Sequence, residues 1–431
     1  MSHVAAMPYH VSHPAAVQPR FGVRVATFAT VVMVVAVMCV SNMLLIAVGV
    51  PYASTGGSFL TKIHPATYLA LVTVLIWASA LGGGRFLART AIGHTGVVAM
   101  VGGIVLLLFH AGAIVKLSLS PVIDTFILPL FLFMALINID ERTRTRLETL
   151  VHVILVVNAL IGVFEYGSGR RLVPMYDTDG TVMSYDWRAT ALFGHPLANA
   201  FLNGSYFVAL ALGATPRINP TLRFALMGLS ALAMIAFGGR TAMVIGLAMG
   251  GFFAGLAGVK MLAGKTFRLR YAILGVALAA LGAVFVVVFI DSGGADRFLQ
   301  RFSEDHGSAQ TRVSMFRIFG ALTWEQFLLW PDGDLIFQAQ REYSLRIGVE
   351  SAPVGFVANY GLIVTIVFFA ALAAFMNELV KETGPKTWWS VLYFVVIMSA
   401  SIGIAAKTTG FAVWLAIHYL IMPRRPSRPS S

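Results

Sequence analysis

Arg240 follows two glycines and stands between the apolar runs 221–238 and 241–259. A guanidinium near membrane depth is costly unless it faces a cavity or a polar partner. Gly238 and Gly239 would let a bulky anion approach the backbone there. The competing assignment is an arginine snorkelling to lipid phosphates. A second cluster reads Asp186-Trp187-Arg188-Ala189-Thr190-Ala191-Leu192-Phe193-Gly194-His195-Pro196, followed by Asn199. Arg188 carries the planar donor fork that matches a phosphate. His195 and Asn199 are four residues apart, a spacing that puts both on one face of a helix. Pro196 suits the first turn of that helix, and the alternative for His195 is capping or local hydrogen bonding.

A third cluster runs from Arg341 and Arg346 through Gly348 to Glu350-Ser351, and then to Asn359-Tyr360-Gly361. Glu350 sits where a long polar segment re-enters apolar sequence, so partial burial would raise its pKa toward that of a general base for a hydroxyl. Its alternative is an ion pair with Arg346. Upstream, Asp305 to Arg312 is polar and contains glycine, suited to a sugar or phosphate or to capping a helix at Ser308. There is no Walker loop and no GxSxG elbow, which excludes an ATP-driven pump and a serine hydrolase of that type. Glu165 and Asp291 close apolar runs without a neighbouring carboxylate, so the expected chemistry uses neither metal nor cofactor. Cys39 is the single cysteine, which excludes an internal disulfide.

The elements that hold these residues are read from hydropathy. The chain has 431 residues, 58% of them hydrophobic and 12% charged, with mean hydropathy +0.81. Apolar runs fall at 25–50, 65–82, 95–115, 121–139, 147–165, 191–213, 221–238, 241–259, 271–291, 351–379, 388–405 and 408–422. Runs this long exclude the short alternating strands of a β-barrel. The expected fold is an all-α polytopic membrane protein of about twelve transmembrane helices. Residues 1–22 form a cytoplasmic tail, 23–423 the transmembrane domain and 424–431 a basic cytoplasmic tail. With the N-terminus inside, the even-numbered loops carry Arg85 and Arg89; Arg142, Arg144 and Arg146; Arg217 and Arg223; Lys260, Lys265, Arg268 and Arg270; and Lys381 and Lys386. Short odd loops carry only Lys62, Lys116, Arg240 and Lys407. The alternation obeys the positive-inside rule and accounts for much of the net charge of +12 without a nucleic-acid partner. Segments 167–190 and 292–350 then lie outside, and the spacing of Phe298, Phe302, Val313, Phe316 and Ile318 predicts amphipathic helices on the bilayer surface. Nine arginines crowd these outer segments, among them Arg188, Arg312, Arg341 and Arg346, and invite an anionic partner.

The order Arg-x-x-x-x-Phe-Gly-His-Pro-x-x-Asn at 188–199, Gly-Gly-Arg-Thr-Ala at 238–242, a large outer loop and a re-entry segment ending Tyr360-Gly361 resembles the bacterial O-antigen ligase/polymerase (WaaL/Wzy-like) superfamily. The resemblance implies a GT-C-like glycosyltransferase of the inner membrane with a periplasmic active site. Its donor would be an undecaprenyl-diphosphate-linked glycan and its acceptor a second glycan. By that resemblance Arg188 and Arg240 hold the donor diphosphate, with Glu350 as the third catalytic group. His195, Asn199, Arg312, Arg341 and Arg346 are the expected substrate-binding residues. Ligases of the superfamily usually carry a His-Asn pair where this chain has Glu350-Ser351. That departure favours a polysaccharide polymerase, with a chain-length regulator as a further expected partner. The alternatives are a ligase that moves a finished glycan onto lipid A core and, from another class, a transporter or flippase of lipid-linked sugar.

The orientation is testable because Cys39 is the only thiol. In a Cys39→Ser background, Thr178→Cys should react with a membrane-impermeant maleimide in intact cells, whereas Ser430→Cys should react only after lysis. The reverse pattern overturns the topology.

Overall fold

Backbone amides in hydrocarbon must be paired within the chain, so long apolar runs have little choice but to coil. The computed structural model describes residues 21–53, 57–176, 181–183, 187–262, 314–343, 345 and 349–424, and these residues are helical with no strand among them. The helices are α1 (Phe21–Cys39), α2 (Asn42–Ala47), α3 (Pro65–Leu81), α4 (Gly83–Gly93), α5 (Thr95–Phe109), α6 (Ser120–Leu136), α7 (Glu141–Ser168), α8 (Pro196–Ala211), α9 (Pro220–Phe237) and α10 (Arg240–Leu262). After the outer segment come α11 (Trp324–Leu328), α12 (Gly333–Glu342), α13 (Ala352–Tyr360), α14 (Leu362–Thr383), α15 (Thr387–Ser399) and α16 (Gly410–Ile421).

Five of these helices are long and apolar enough to cross a membrane: α1, α5 with its terminal π-turn, α7, α9 and α14. The count is six if α3 and α4, bent by 106° at their junction, are taken together. Several expected runs are therefore divided. The run 25–50 breaks at Ser41, whose hydroxyl caps α2 by accepting from Leu44 N. The run 351–379 breaks at Gly361, where φ is +79°, into α13 and α14. The run 191–213 becomes helical only at Pro196, and the run 147–165 extends back to Glu141, capped by the Asp140 carboxylate. The run 271–291 and the aromatic spacing at Phe298 and Phe302 lie outside the described residues.

Two helices form the centre. Every residue of α16 from Phe411 to Ile421 is buried, as is every residue of α8 from Asn199 to Leu210. A helix apolar on all sides belongs in such a position. The surrounding helices turn Leu71, Val105, Val153, Leu160, Val244 and Ile366 outward, a surface matched to lipid.

The two ends of the bundle differ. At one end, cations cap helix C-termini. Arg144 Nη2 donates to Tyr419 O at 3.0 Å and Met422 O at 2.6 Å, Arg223 to Ala214 O and Thr215 O, and Lys386 to Leu212 O. At the other end a buried carboxylate gathers three loops. Asp124, in the π-turn Ile123–Ile127 of α6, accepts from the Tyr52 hydroxyl at 2.7 Å, the Thr67 hydroxyl at 2.8 Å and His64 N at 3.0 Å. Lys407 lies 3.8 Å from the same carboxylate and also donates to Tyr52 O and Lys62 O. Burial pulls the Lys407 ammonium down to about 8, with Asp124 opposing the shift. His64 Nδ1 accepts from Ala66 N, so its ring proton sits on Nε2 and is donated to Val40 O. Burial holds that ring neutral, lowering its pKa to about 4.

Asp124 is completely buried, so Asp124→Ala strands the Lys407 charge and should cost about 3–5 kcal/mol. Thermal unfolding in nanodiscs measures this, and Asp124→Ala combined with Lys407→Met should recover most of the loss. Additive losses in the double variant would show that the pair does not act as a unit.

Candidate functional site

Glu165 lies in the last turn of α7 and is fully buried. An ionised carboxyl there needs donors in place of water, and the chain supplies them by folding the segment after α7 back over it. Oε1 accepts from Leu172 N at 2.7 Å, and Oε2 accepts from Thr190 N at 2.7 Å and Ala191 N at 2.9 Å. One face further down the helix, seven residues earlier, the Asn158 carbonyl accepts from Leu192 N at 3.0 Å. Ala191 adopts φ +38°, an uncommon value for a residue with a side chain, and it is held there by its own N–H and that of Thr190 on Glu165 and by Leu192 N on the Asn158 side-chain oxygen. The loop 187–195 is thus fixed by its backbone.

Arg188 is half-buried in this loop. Its carbonyl accepts from Arg171 Nε at 3.0 Å. Arg171 also donates to Met183 O at 2.8 Å, and its guanidinium carbon lies 4.8 Å from the centroid of the Trp187 ring. The next residue, Ala189, donates its N–H to Ala236 O in the last turn of α9 at 3.4 Å. Two residues beyond Ala236, Gly238 ends α9 with φ +66°, a conformation favouring glycine, and α10 begins at Arg240. At Gly239 a Cβ would fall 2.2 Å from Ala200 Cβ of α8, so only glycine lets this turn seat against the central helix. Arg188 and the half-buried Arg240 thus belong to two segments that pack on each other.

The other expected residues fall differently. His195 precedes α8 with φ −134° and ψ 129°, so it does not share a helix face with Asn199. Asn199 is fully buried, and its amide donates to Thr190 O at 2.6 Å and His195 O at 3.0 Å. It positions the loop. Glu350 is half-buried beside Ser351, the residue that precedes α13, and its carboxylate makes no hydrogen bond or ion pair among the described residues. Arg346 and Arg312 lie outside the described residues. Arg341 is exposed on α12, with its guanidinium carbon 4.5 Å from the Phe337 ring centroid. Glu350 and Arg341 belong to the Asp124 end of the bundle, where Gly355 of α13 meets Ala405 and Thr125 donates to Ala406 O.

Sequence reading passed over Glu165, Asn158 and Arg171 as positioning residues. The available signal was an acid and an amide in one otherwise apolar run, each of which must find partners. No family model matches the chain, and a search of curated proteins finds no match either.

Glu165→Gln replaces two accepting oxygens by one and sets an amide N–H₂ against backbone donors. It should loosen the loop, giving several-fold faster tryptic cleavage after Arg171 and Arg188 in the folded protein. Unchanged cleavage would show that the loop is held by other contacts.

Proposed function

We propose that the chain is a GT-C-like membrane glycosyltransferase that joins undecaprenyl-diphosphate-linked oligosaccharide repeats at the periplasmic face of a bacterial inner membrane. In this reading about twelve spans place both termini in the cytoplasm. The observation that carries it is the packing of the Arg188 loop on the turn that presents Arg240, through Ala189 N to Ala236 O and the close seat of Gly239 on Ala200.

The chemistry follows from charge. The acceptor hydroxyl attacks the anomeric carbon of the donor sugar and forms the new glycosidic bond with inversion. The bond from that carbon to phosphate oxygen breaks, and its electron pair leaves on the lipid diphosphate. Arg188 and Arg240 would stabilise that growing charge, and the loop that carries Arg188 is already fixed by its backbone. Glu350 would take the hydroxyl proton, and its half-burial leaves it accessible to an acceptor arriving from the outer segment. His195, at the junction of the loop and α8, would belong to the same anion site. The sugar–diphosphate bond supplies the free energy, so no nucleotide takes part at this step.

Arg188→Ala and Arg240→Ala should each lower the rate of chain extension on lipid-diphosphate oligosaccharide by about 100-fold or more, the scale for losing one preorganised donor to a developing anion. Lysine at either place should recover only part of it, because the fork is lost. Glu350→Gln should lower kcat with donor affinity kept. Normal product length in both arginine variants would remove the reading. Product on lipid A core in place of longer lipid-linked chains would identify a ligase, and movement of lipid-linked sugar across the bilayer without new glycosidic bonds would identify a transporter.

A further inference from the structure

A pocket of about 210 Å³ opens between the end of α5, α12 and the last turn of α13. Val115, Leu117, Ile336 and Phe337 give it apolar walls, and Gln340 and Asn359 face it with amides. Both amides are half-buried, and neither side chain makes a hydrogen bond among the described residues. Among the described residues, no charged side chain lines the pocket. The surroundings are firm. His110, in the π-turn that ends α5, donates from Nε2 to Leu329 O at 2.7 Å and sets its ring edge-on to Tyr360. Ile336 and Ala339 of α12 are buried with Val354 and Ala358 of α13 in a small core of their own. Arg341 over Phe337 fixes that ring at the rim.

We propose that this pocket is an acceptor-side subsite for a neutral pyranose unit of the glycan, an inference that rests on the glycosyl-transfer reading. A pyranose has apolar C–H faces and an equator of hydroxyls, each both donor and acceptor. Two free amides, each with N–H donors and a carbonyl acceptor, complement that equator, and the aliphatic and aromatic walls complement the faces. The absence of charge on the walls suits a sugar and not the diphosphate, which the arginines serve. Asn359 lies seven residues along α13 from Ala352, roughly 10 Å at the helical rise, and Glu350 precedes that helix by two residues. The pocket thus stands a few sugar units from the proposed base. Holding a remote unit of the acceptor contributes binding felt equally before and during reaction, which lowers the acceptor KM.

The test uses full-length protein in nanodiscs and free methyl pyranosides of glucose, galactose, mannose and N-acetylglucosamine, followed by saturation-transfer NMR, with chain extension assayed in parallel. At least one pyranoside should bind saturably. Gln340→Ala and Asn359→Ala should each weaken it about five- to tenfold, the usual loss for one hydrogen bond to a neutral partner. Arg188→Ala should leave that binding unchanged. In the extension assay the amide variants should raise the acceptor KM and keep kcat. Folding of each variant is checked by its unfolding midpoint. Absence of pyranoside binding to folded wild-type protein, or equal binding by both amide variants, overturns the subsite, as would displacement of the sugar signal by an alkyl chain occupying the pocket. The two proposals fail separately. Sugar binding without chain growth removes the transfer reading and keeps a saccharide site, whereas chain growth indifferent to Gln340 and Asn359 removes the subsite alone.

Discussion

A carboxylate deprived of water must be surrounded by donors, and in this bundle that requirement shapes the loops. Glu165 is satisfied by three backbone N–H groups from residues 172, 190 and 191. Those bonds reverse the chain after α7 and bring it back to the start of α8. Asp124 plays the corresponding part at the same end, where it ties Tyr52, His64, Thr67 and Lys407 to α6. Losing either anion would leave several donors buried and unpaired, each costing about 1–3 kcal/mol. Loops that would otherwise move are therefore as well determined as the helices.

The two ends of the bundle use their cations differently. At one end Arg144, Arg223 and Lys386 donate to carbonyls that terminate helices or follow them, and buried Glu378 accepts from Gly96 N and Lys381. At the other, buried Glu165 and Asp124 organise the donors of the loops. Within one of these loops the guanidinium of Arg171 is occupied by Arg188 O, Met183 O and the Trp187 ring. It holds the backbone of Arg188 in place.

Hydropathy made the helical class legible, because apolar runs of this length permit no other backbone pairing. The hairpin at Gly238-Gly239 was equally legible, since a positive φ at the first and a close seat at the second leave few other residues possible. What escaped was whatever depended on partners far away in sequence. A run of 351–379 reads as one span by composition, yet a Cβ at Gly361 would fall 2.8 Å from Leu328 O, so a distant loop decides that the helix breaks there. Asn199 looked like a ligand because its spacing from His195 is helical. The helix starts one residue too late, and the amide is used by Thr190 O and His195 O. Periodicity states which face a residue takes once a helix exists; it does not state where the helix begins.

The same reasoning bears on whether such a site suits transfer or transport. A carrier must expose its ligand to both sides in turn, so the residues that grip the ligand sit near the middle of the bundle on elements with two arrangements. Here the Arg188 loop is fastened to α7 by Glu165 and Asn158, to α8 by Asn199, and to α9 by Ala189 N on Ala236 O. Moving this loop would break those bonds together and leave Glu165 buried without donors, which disfavours a second arrangement. A loop fastened on three sides gains nothing for translocation. Under the proposed glycosyl transfer, negative charge would appear at one place, and a frame already fixed there is what that step would need.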